Sequence, residues 1–237
     1  MRASKFASRL HRWIGLLIGA QVILWFASGW FLSFFPIEKV RGEDQMRAPV
    51  AQPVRAADIA APLSRFLSGD QRDLVRLEVH SLDGRPVVLL ERATGRPALH
   101  ELATGQRISP ISAPTAVRLA RADYIGAGQP ISSTFVVKES TEYRGPLPAW
   151  RVRFDDARNT ALYVAADTAQ VTARRTDLWR VFDFLWGLHI MDWKDHQNIN
   201  YPWLWATAAA ALALALTGAF LIPSRFGWRR RQGKINK

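Results

Sequence analysis

The stretch WIGLLIGAQVILWFASGWFLSFFPI, residues 13–37, contains no charged side chain. As an α-helix its 25 residues would rise roughly 37 Å, which exceeds the ~30 Å hydrocarbon core of a bilayer. A second uncharged stretch, YPWLWATAAAALALALTGAFLIP, occupies residues 201–223. The sequence therefore predicts two transmembrane helices, 13–37 and 201–223. A cleaved signal peptide is the alternative for the first stretch, but that stretch is too long and lacks an A-x-A-like end.

The positive charge of the protein is concentrated near its two ends. Its 237 residues include 32 Lys and Arg against 20 Asp and Glu, a net charge of +12. Ten of the basic residues lie in 1–12 and 224–237, which hold no acid, so the rest of the chain carries only +2. A strongly basic domain is typical of nucleic-acid binding, but this distribution predicts no nucleic-acid partner. The protein has no cysteine, which excludes disulfides, thiolate metal sites and thiol nucleophiles.

The basic segments also predict how the chain crosses the membrane. Lys and Arg in short flanking segments mark the cytoplasmic side. We therefore expect cytoplasmic tails at 1–12 and 224–237 and, in a bacterial inner membrane, a periplasmic domain over 38–200. Tryptophan is enriched where membrane helices meet the lipid interface. The residues that we expect to anchor the protein in the bilayer in this way are Trp30, Trp186, Trp193 and Trp203.

Small residues four apart occur on both predicted membrane helices. They are Gly15 and Gly19 on the first helix and Ala215 and Ala219 on the second. Small residues let helices approach closely in lipid, so the pattern favours helix packing at these positions. Packing within one chain and a homodimer through Gly15 and Gly19 are both open alternatives.

The region between the spans is predicted to contain one arrangement twice. A polar linker covers 38–56, and each copy then has an amphipathic helix followed by three strands with turn residues between them. The third strands end in Ala103-Thr104-Gly105-Gln106 and in Asp167-Thr168-Ala169-Gln170, 64 residues later. The predicted helices are 57–68 and 113–124, and the predicted strands are 74–79, 86–90, 98–102, 133–139, 149–154 and 161–166.

This order of elements resembles the PepSY domain. Leu10 to Leu16 (LHRWIGL) and Phe35 to Glu38 (FPIE) resemble the start and the exit of the PepSY-associated transmembrane helix. The resemblance implies an α+β fold in which two transmembrane helices flank PepSY-like units over 57–110 and 111–176. Each unit would be a helix on a three-stranded antiparallel sheet. Membrane members of the family resemble siderophore-linked ferric reductases with at least four spans and histidine-ligated haems, so their catalytic apparatus does not carry over wholesale to two spans.

A further amphipathic helix is predicted over 177–193, with a loop to residue 200. At 100° per residue its polar and apolar residues separate, which is typical of a helix in the membrane interface. The polar side holds Asp177, Arg180, Asp183 and Gly187, and the apolar side holds Leu178, Phe182, Leu185, His189 and Trp193. His189 is predicted either to be a structural anchor bonded to Asp192, a carbonyl or the sheet, or, from the resemblance, to be a metal or haem ligand.

The other histidines are predicted to be structural. His11 matches the histidine at the family's helix start, and its position favours a side chain that reaches the lipid head groups. The first span separates His11 from His189 by roughly 37 Å, so they cannot share one haem. A haem b is therefore predicted only if another chain supplies ligands. His80 and His100 fall on predicted strands, and His196 is predicted to be exposed in a loop.

The sequence predicts no autonomous active site. The nucleophile, phosphate-loop, zincin and dinucleotide motifs are absent, and the Asp155-Asp156 pair falls at a turn, where acidic residues are common for backbone reasons. We therefore predict a non-catalytic inner-membrane subunit that assembles with a membrane or periplasmic redox or iron-handling partner. One alternative is a haem-binding electron-transfer subunit that uses His189 or His11 with another chain or as a homodimer. The other alternative is a regulator of a periplasmic peptidase.

Overall fold

The computed structural model describes residues 2–48, 56–68 and 72–225. The basic residues predicted as a tail after residue 225 lie outside this part of the chain. The chain divides into two compact units, one comprising Met1–Phe35 with Val181–Lys237 and the other comprising Pro36–Arg180. The helices are α1 (Arg2–Phe34), α2 (Ile37–Val40), α3 (Ala56–Leu67), α4 (Ala113–Asp123), α5 (Asp177–His189) and α6 (Pro202–Arg225). The strands are β1 (Leu74–Leu82), β2 (Arg85–Arg92), β3 (Ala98–Glu101), β4 (Pro130–Val136), β5 (Ala149–Phe154), β6 (Ala161–Ala165) and β7 (Val171–Arg175).

The first unit, here called the helix unit, is built on α1 and α6. Both are long and apolar enough to cross a membrane, over Lys5–Phe34 and Pro202–Pro223. The prediction of two membrane helices agrees with this. The first helix begins earlier than predicted, at Arg2 instead of residue 13, so most of the predicted tail is helical. It ends at Phe34 and not at residue 37. The reason is Pro36, because a proline disfavours the helical conformation of the residue before it.

The helix α5 ends earlier than the sequence predicts, at His189 and not at Trp193. The chain leaves the helix through Met191, whose φ of 55° is left-handed. His189 and Trp193 therefore do not share one helical face, which corrects the predicted apolar side.

The second unit, here called the sheet unit, contains two antiparallel sheets. Their strand orders are β1-β2-β3 and β4-β5-β6-β7. The predicted six strands are all present, but the second sheet has a fourth strand, β7, that was missed. Its sequence VTARR ends in two arginines and lacks a clear apolar alternation, so the pattern gave no strand signal.

The main core lies between the two sheets and α4. Because side chains alternate along a strand, β2 buries Val87 and Leu89 toward this core and Val88 and Leu90 toward α3. Buried residues from both sheets and from α4 meet in the main core, including Leu99, Ala116, Ala120, Val152, Phe154, Leu162 and Val164.

The predicted repetition is present in the backbone of the turns. The turns over residues 101–106 and 165–170 are each closed by a hydrogen bond of 2.9 Å from the first amide to the last carbonyl. In each turn the fifth residue has a positive φ, 75° at Gly105 and 58° at Ala169. The two sheets therefore share a turn of the same geometry, 64 residues apart in the sequence.

Candidate histidine sites between the membrane helices

His11 faces the second membrane helix. Its Nδ1 lies 3.1 Å from the carbonyl oxygen of Leu214 and 3.0 Å from Oγ1 of Thr217, both on α6. A carbonyl oxygen only accepts, so Nδ1 carries the proton and Nε2 carries the lone pair. The Thr217 hydroxyl donates to the carbonyl of Ala213 at 2.8 Å, which leaves its oxygen free to accept from the ring. The prediction that His11 points toward head groups is wrong, because these partners turn it toward α6.

His189 has the same arrangement at the end of α5. Its Nδ1 lies 3.0 Å from Oγ of Ser28 on α1. The Ser28 hydroxyl donates to the carbonyl of Leu24 at 2.6 Å, so Oγ accepts the proton of Nδ1. With the Ser28 hydroxyl donating to Leu24, Nε2 of His189 is the acceptor nitrogen, as it is in His11.

Asp192 is not the partner of His189, which corrects the predicted anchor. The buried carboxylate of Asp192 accepts the backbone N–H groups of Asp195, Gln197 and Asn198 at 3.1, 2.9 and 2.9 Å. Burial opposes its ionisation, but these N–H groups outweigh burial and lower its pKa to about 2. Asp192 thus holds the loop that follows α5.

Each imidazole lies against the glycine that follows its hydroxyl partner. Cε1 of His11 is 3.2 Å from the position that a Cβ on Gly218 would take. Cε1 of His189 is 3.2 Å from the corresponding position on Gly29. A methyl group at either glycine would crowd the ring, so the glycine makes room for the histidine.

The two histidines lie at opposite ends of one helix pair. His189 packs at Gly29, which is 18 residues after His11 on α1. At about 1.5 Å per residue this separates the two levels by roughly 27 Å. The prediction that one haem cannot take both histidines agrees with this spacing.

A largely apolar groove of about 980 Å³ connects the two levels. The aromatic side chains of α1 and the small residues of α6 line it, together with both histidines. Within residues 2–48, 56–68 and 72–225, neither Nε2 has a hydrogen-bond partner. The same residues contain no group of three or more His, Asp or Glu side chains that could hold a metal ion. The lining includes Trp25, Phe26, Trp30, Ala208, Ala211, Ala215 and Gly218.

A family model described as PepSY-associated TM region matches residues 8–237. The chain belongs to this family. No curated protein and no solved structure matches it.

In this PepSY-associated protein the predicted small-residue pairs do not meet. The Cβ position of Gly15 is 3.5 Å from Cδ1 of Leu214, an ordinary contact with α6. A Cβ on Gly19 would have no atom of another described element within 4 Å, and Ala215 and Ala219 are exposed. On α1 and α6 the closer approaches are instead those of the histidines to Gly29 and Gly218.

The four predicted tryptophan anchors all belong to the helix unit and are exposed there. Trp30, Trp193 and Trp203 are about half to two-thirds exposed, and Trp186 is less so. Trp203 also donates its indole N–H to the carbonyl of Met191 at 3.2 Å. Their role at the lipid interface stays a prediction.

Of the remaining histidines, His196 and His100 have structural contacts, whereas the buried Nδ1 of His80 has no hydrogen-bond partner among the described residues. His196 is not exposed as predicted, because its Nδ1 lies 2.6 Å from Oδ2 of Asp183 and its ring covers Gly187. His100 lies 3.1 Å from the carbonyl of Gly105. His80 on β1 is half-buried, and burial lowers its pKa despite the nearby Glu78.

The acidic pair at the turn is also occupied by local contacts. Asp156 accepts from the backbone N–H and hydroxyl of Thr160 and from the hydroxyl of Tyr124 at 2.8, 2.5 and 2.7 Å. Asp155 accepts from the backbone N–H of Gln129. Burial, followed by the bond to Asp156, raises the pKa of Tyr124 to about 12.

The paired hydroxyl and glycine residues are the functional feature that sequence reasoning missed. Ser28-Gly29 and Thr217-Gly218 each place a hydroxyl before a glycine on a predicted membrane helix. A hydroxyl before a glycine on each membrane helix, together with a histidine near each end of the span, could have predicted these contacts.

Proposed function

We propose that this protein is a membrane electron-transfer subunit that holds b-type haem between its helices. His11 and His189 would each hold one haem through Nε2, at two different levels, and another chain would supply the remaining ligands. The observation that carries the proposal is the state of the two imidazoles. Each donates through Nδ1, has no hydrogen-bond partner at Nε2 among the described residues, and belongs to the lining of an apolar groove.

An unpaired acceptor in an apolar membrane groove has a free-energy cost. Two such acceptors, each in a histidine whose Nδ1 is bonded to a hydroxyl, support a role in ligand binding in addition to helix packing. Iron is a suitable occupant because neutral imidazole nitrogen is a common haem ligand. The hydroxyls of Ser28 and Thr217 would fix the orientation of the two imidazole rings. Metal-bound histidines are commonly oriented in this way by a hydrogen bond from the ring nitrogen that does not bind the metal.

The protein's own residues would perform three tasks. The histidine and hydroxyl pairs hold each Nε2 toward the groove. Gly29 and Gly218 leave space for the rings, and the aromatic and alanine side chains keep water away. A bound haem would supply reversible one-electron oxidation and reduction.

A competing function is that of an assembly subunit without a cofactor. The observation that favours it is that the bonds from His11 to Thr217 and from His189 to Ser28 already join helices. Interhelical hydrogen bonds of this kind stabilise membrane proteins by themselves. The predicted peptidase-regulating role stays a prediction.

Asparagine variants separate the two functions. The amide of asparagine retains an N–H donor near the Nδ1 position but has no counterpart to Nε2. Full-length protein expressed with a haem supply and purified in detergent should show a Soret band. We expect His11→Asn and His189→Asn each to lose one haem population, and the double variant to lose both, while the helices remain folded.

His80→Asn is the matched control, because His80 lies on β1 in the sheet unit. It should leave the spectrum unchanged. A folded wild-type protein without haem that forms a stable complex with a haem-free partner would contradict the proposal and support the assembly function.

We also propose that both ends of the chain are cytoplasmic and that the sheet unit is periplasmic in a bacterial inner membrane. The ten basic residues in the two terminal segments support this orientation. Reporter fusions after residue 237 and within the exposed hairpin turn at Asp83 and Gly84 test it. We expect a cytoplasmic signal from the first fusion and a periplasmic signal from the second.

A further inference from the structure

We infer that the chain which completes the two haem sites is a second copy of this protein, with the two grooves face to face about a two-fold axis along the membrane normal. This inference rests on the proposed function and names its partner. His11 of each copy would face His11 of the other, and His189 would face His189.

The positions of the two histidines support a second copy. A partner must offer an imidazole at each of two levels that are roughly 27 Å apart along α1. A two-fold axis along the membrane normal leaves the depth of every atom unchanged. A second copy therefore presents its histidines at the required depths without any further adjustment.

The charges of the protein agree with the same axis. Segments 1–12 and 224–237 carry ten basic residues and no acid. A two-fold axis along the normal places these segments of both copies on the same side of the membrane, as the positive-inside rule requires. An axis in the membrane plane would place them on opposite sides.

The groove lies between α1 and α6 of each copy. On α1 it is lined by Phe26 and Trp30, which are 75% and 69% exposed. On α6 it is lined by Leu204 and Trp205 toward the start of the helix and by Ala208, Ala211 and Ala215 further along. The two-fold axis places α1 of one copy opposite α6 of the other, so that four helices enclose the groove.

Gly19 is the position on α1 where a helix of the second copy can approach closely. No described heavy atom lies within 4 Å of its Cβ position, so its own chain leaves this surface open. At 100° per residue it lies on the same side of α1 as Phe26 and Trp30. A glycine there lets a neighbouring helix approach α1 beside the aromatic rim.

The test uses the full chain expressed alone with a haem supply, as two co-expressed copies with different affinity tags. We expect purification through one tag to recover the other, a mass of two chains, and a six-coordinate low-spin haem spectrum. Gly19→Leu should abolish recovery of the second tag and convert the haem to a five-coordinate or empty state. Ala20→Leu, at an exposed position about 100° around α1 from Gly19, should change neither.

Circular dichroism is the folding control. The loss of pairing in Gly19→Leu supports the inference only if the variant retains the helix content of the wild-type protein. Low-spin haem in a monomer would overturn the inference. Low-spin haem that forms only with a different co-expressed membrane protein would overturn it and leave the proposed function standing. A paired but haem-free protein, with no Soret band under any condition, would overturn both.

Discussion

The helix unit and the sheet unit differ in how completely their polar side chains are paired. In the sheet unit Asp123 pairs with Arg174, and Asp167 accepts two bonds from Arg96 at 2.6 and 2.9 Å. In the helix unit Asp183 also pairs with His196, but His11 and His189, which line an apolar groove, each use only one ring nitrogen. Ion pairs of this kind maintain a fold, whereas an unused imidazole nitrogen can bind a ligand. The comparison therefore points to the helix unit for chemistry and to the sheet unit for structure.

The largest expected effect is the loss of a core side chain in the sheet unit. Leu99 is fully buried in the main core, so Leu99→Ala should lower the free energy of unfolding by roughly 2–5 kcal/mol. Chemical denaturation in detergent, followed by circular dichroism, measures this. Val75→Ala is the control, since Val75 is 69% exposed. If Leu99→Ala also removed haem from folded protein, the division of roles between the units would be wrong.

The next effect concerns the ion pair between Arg174 and Asp123, whose side chains are 15% and 16% exposed. Arg174→Met would leave the carboxylate partly buried without its guanidinium, and we expect a loss of about 3 kcal/mol in unfolding free energy. Arg118→Met serves as the comparison, because its pair with Asp83 is exposed and should contribute under about 1 kcal/mol. Equal losses in the two variants would mean that burial does not set the strength of these pairs.

A smaller effect is expected at the glycines beside the histidines. Gly29→Ala would place a methyl group 3.2 Å from Cε1 of His189 and displace the ring from Ser28. We expect a loss of about 0.5–1 kcal/mol from the weakened hydrogen bond, together with a shifted haem spectrum or midpoint potential. Gly15→Ala is the control, because its methyl group would lie 3.5 Å from Cδ1 of Leu214, an ordinary contact, and it should be neutral or slightly stabilising. A spectrum that Gly29→Ala leaves unchanged would argue that His189 does not hold the cofactor.

The last effect concerns the dependence of stability on acid pH. The pKa of Asp192 is lowered to about 2, below the value of about 3.9 expected for an unfolded chain. Its contribution to stability is therefore complete above the unfolded value and is lost as pH falls toward 2. Asp192→Asn should reduce the decline in stability between about pH 4 and pH 2, as measured by thermal unfolding. A decline that is the same in both proteins would assign acid sensitivity to other carboxylates.

Much of the fold follows from local sequence patterns. The uncharged stretches predicted both membrane helices, and the turn residues at Gly84 and Gly95 separated the strands of the first sheet at the right places. The strand β7 was missed because its sequence, which ends in Arg174 and Arg175, lacks a clear apolar alternation. Its place in the sheet is decided by pairing with β6, a contact that no single segment encodes.

The candidate site was only partly predictable. The sequence singled out His11 and His189 and established that one haem could not take both. It did not identify Thr217 and Ser28 as their partners, because those hydroxyls are 206 and 161 residues away along the chain. A hydrogen bond over such a separation depends on how the helices pack, and periodicity within one helix does not contain that information.

By itself the sequence determined the two apolar helices, the charge asymmetry that predicts their orientation and the repeated order of elements between them. These features depend on neighbouring residues and on transfer from water, so they can be read along the chain. Only the tertiary structure decided which ring nitrogen each histidine uses, because that depends on Ser28, Thr217 and the two glycines meeting the rings in space. The choice of nitrogen turns two histidines near the ends of the spans into a pair of candidate ligands.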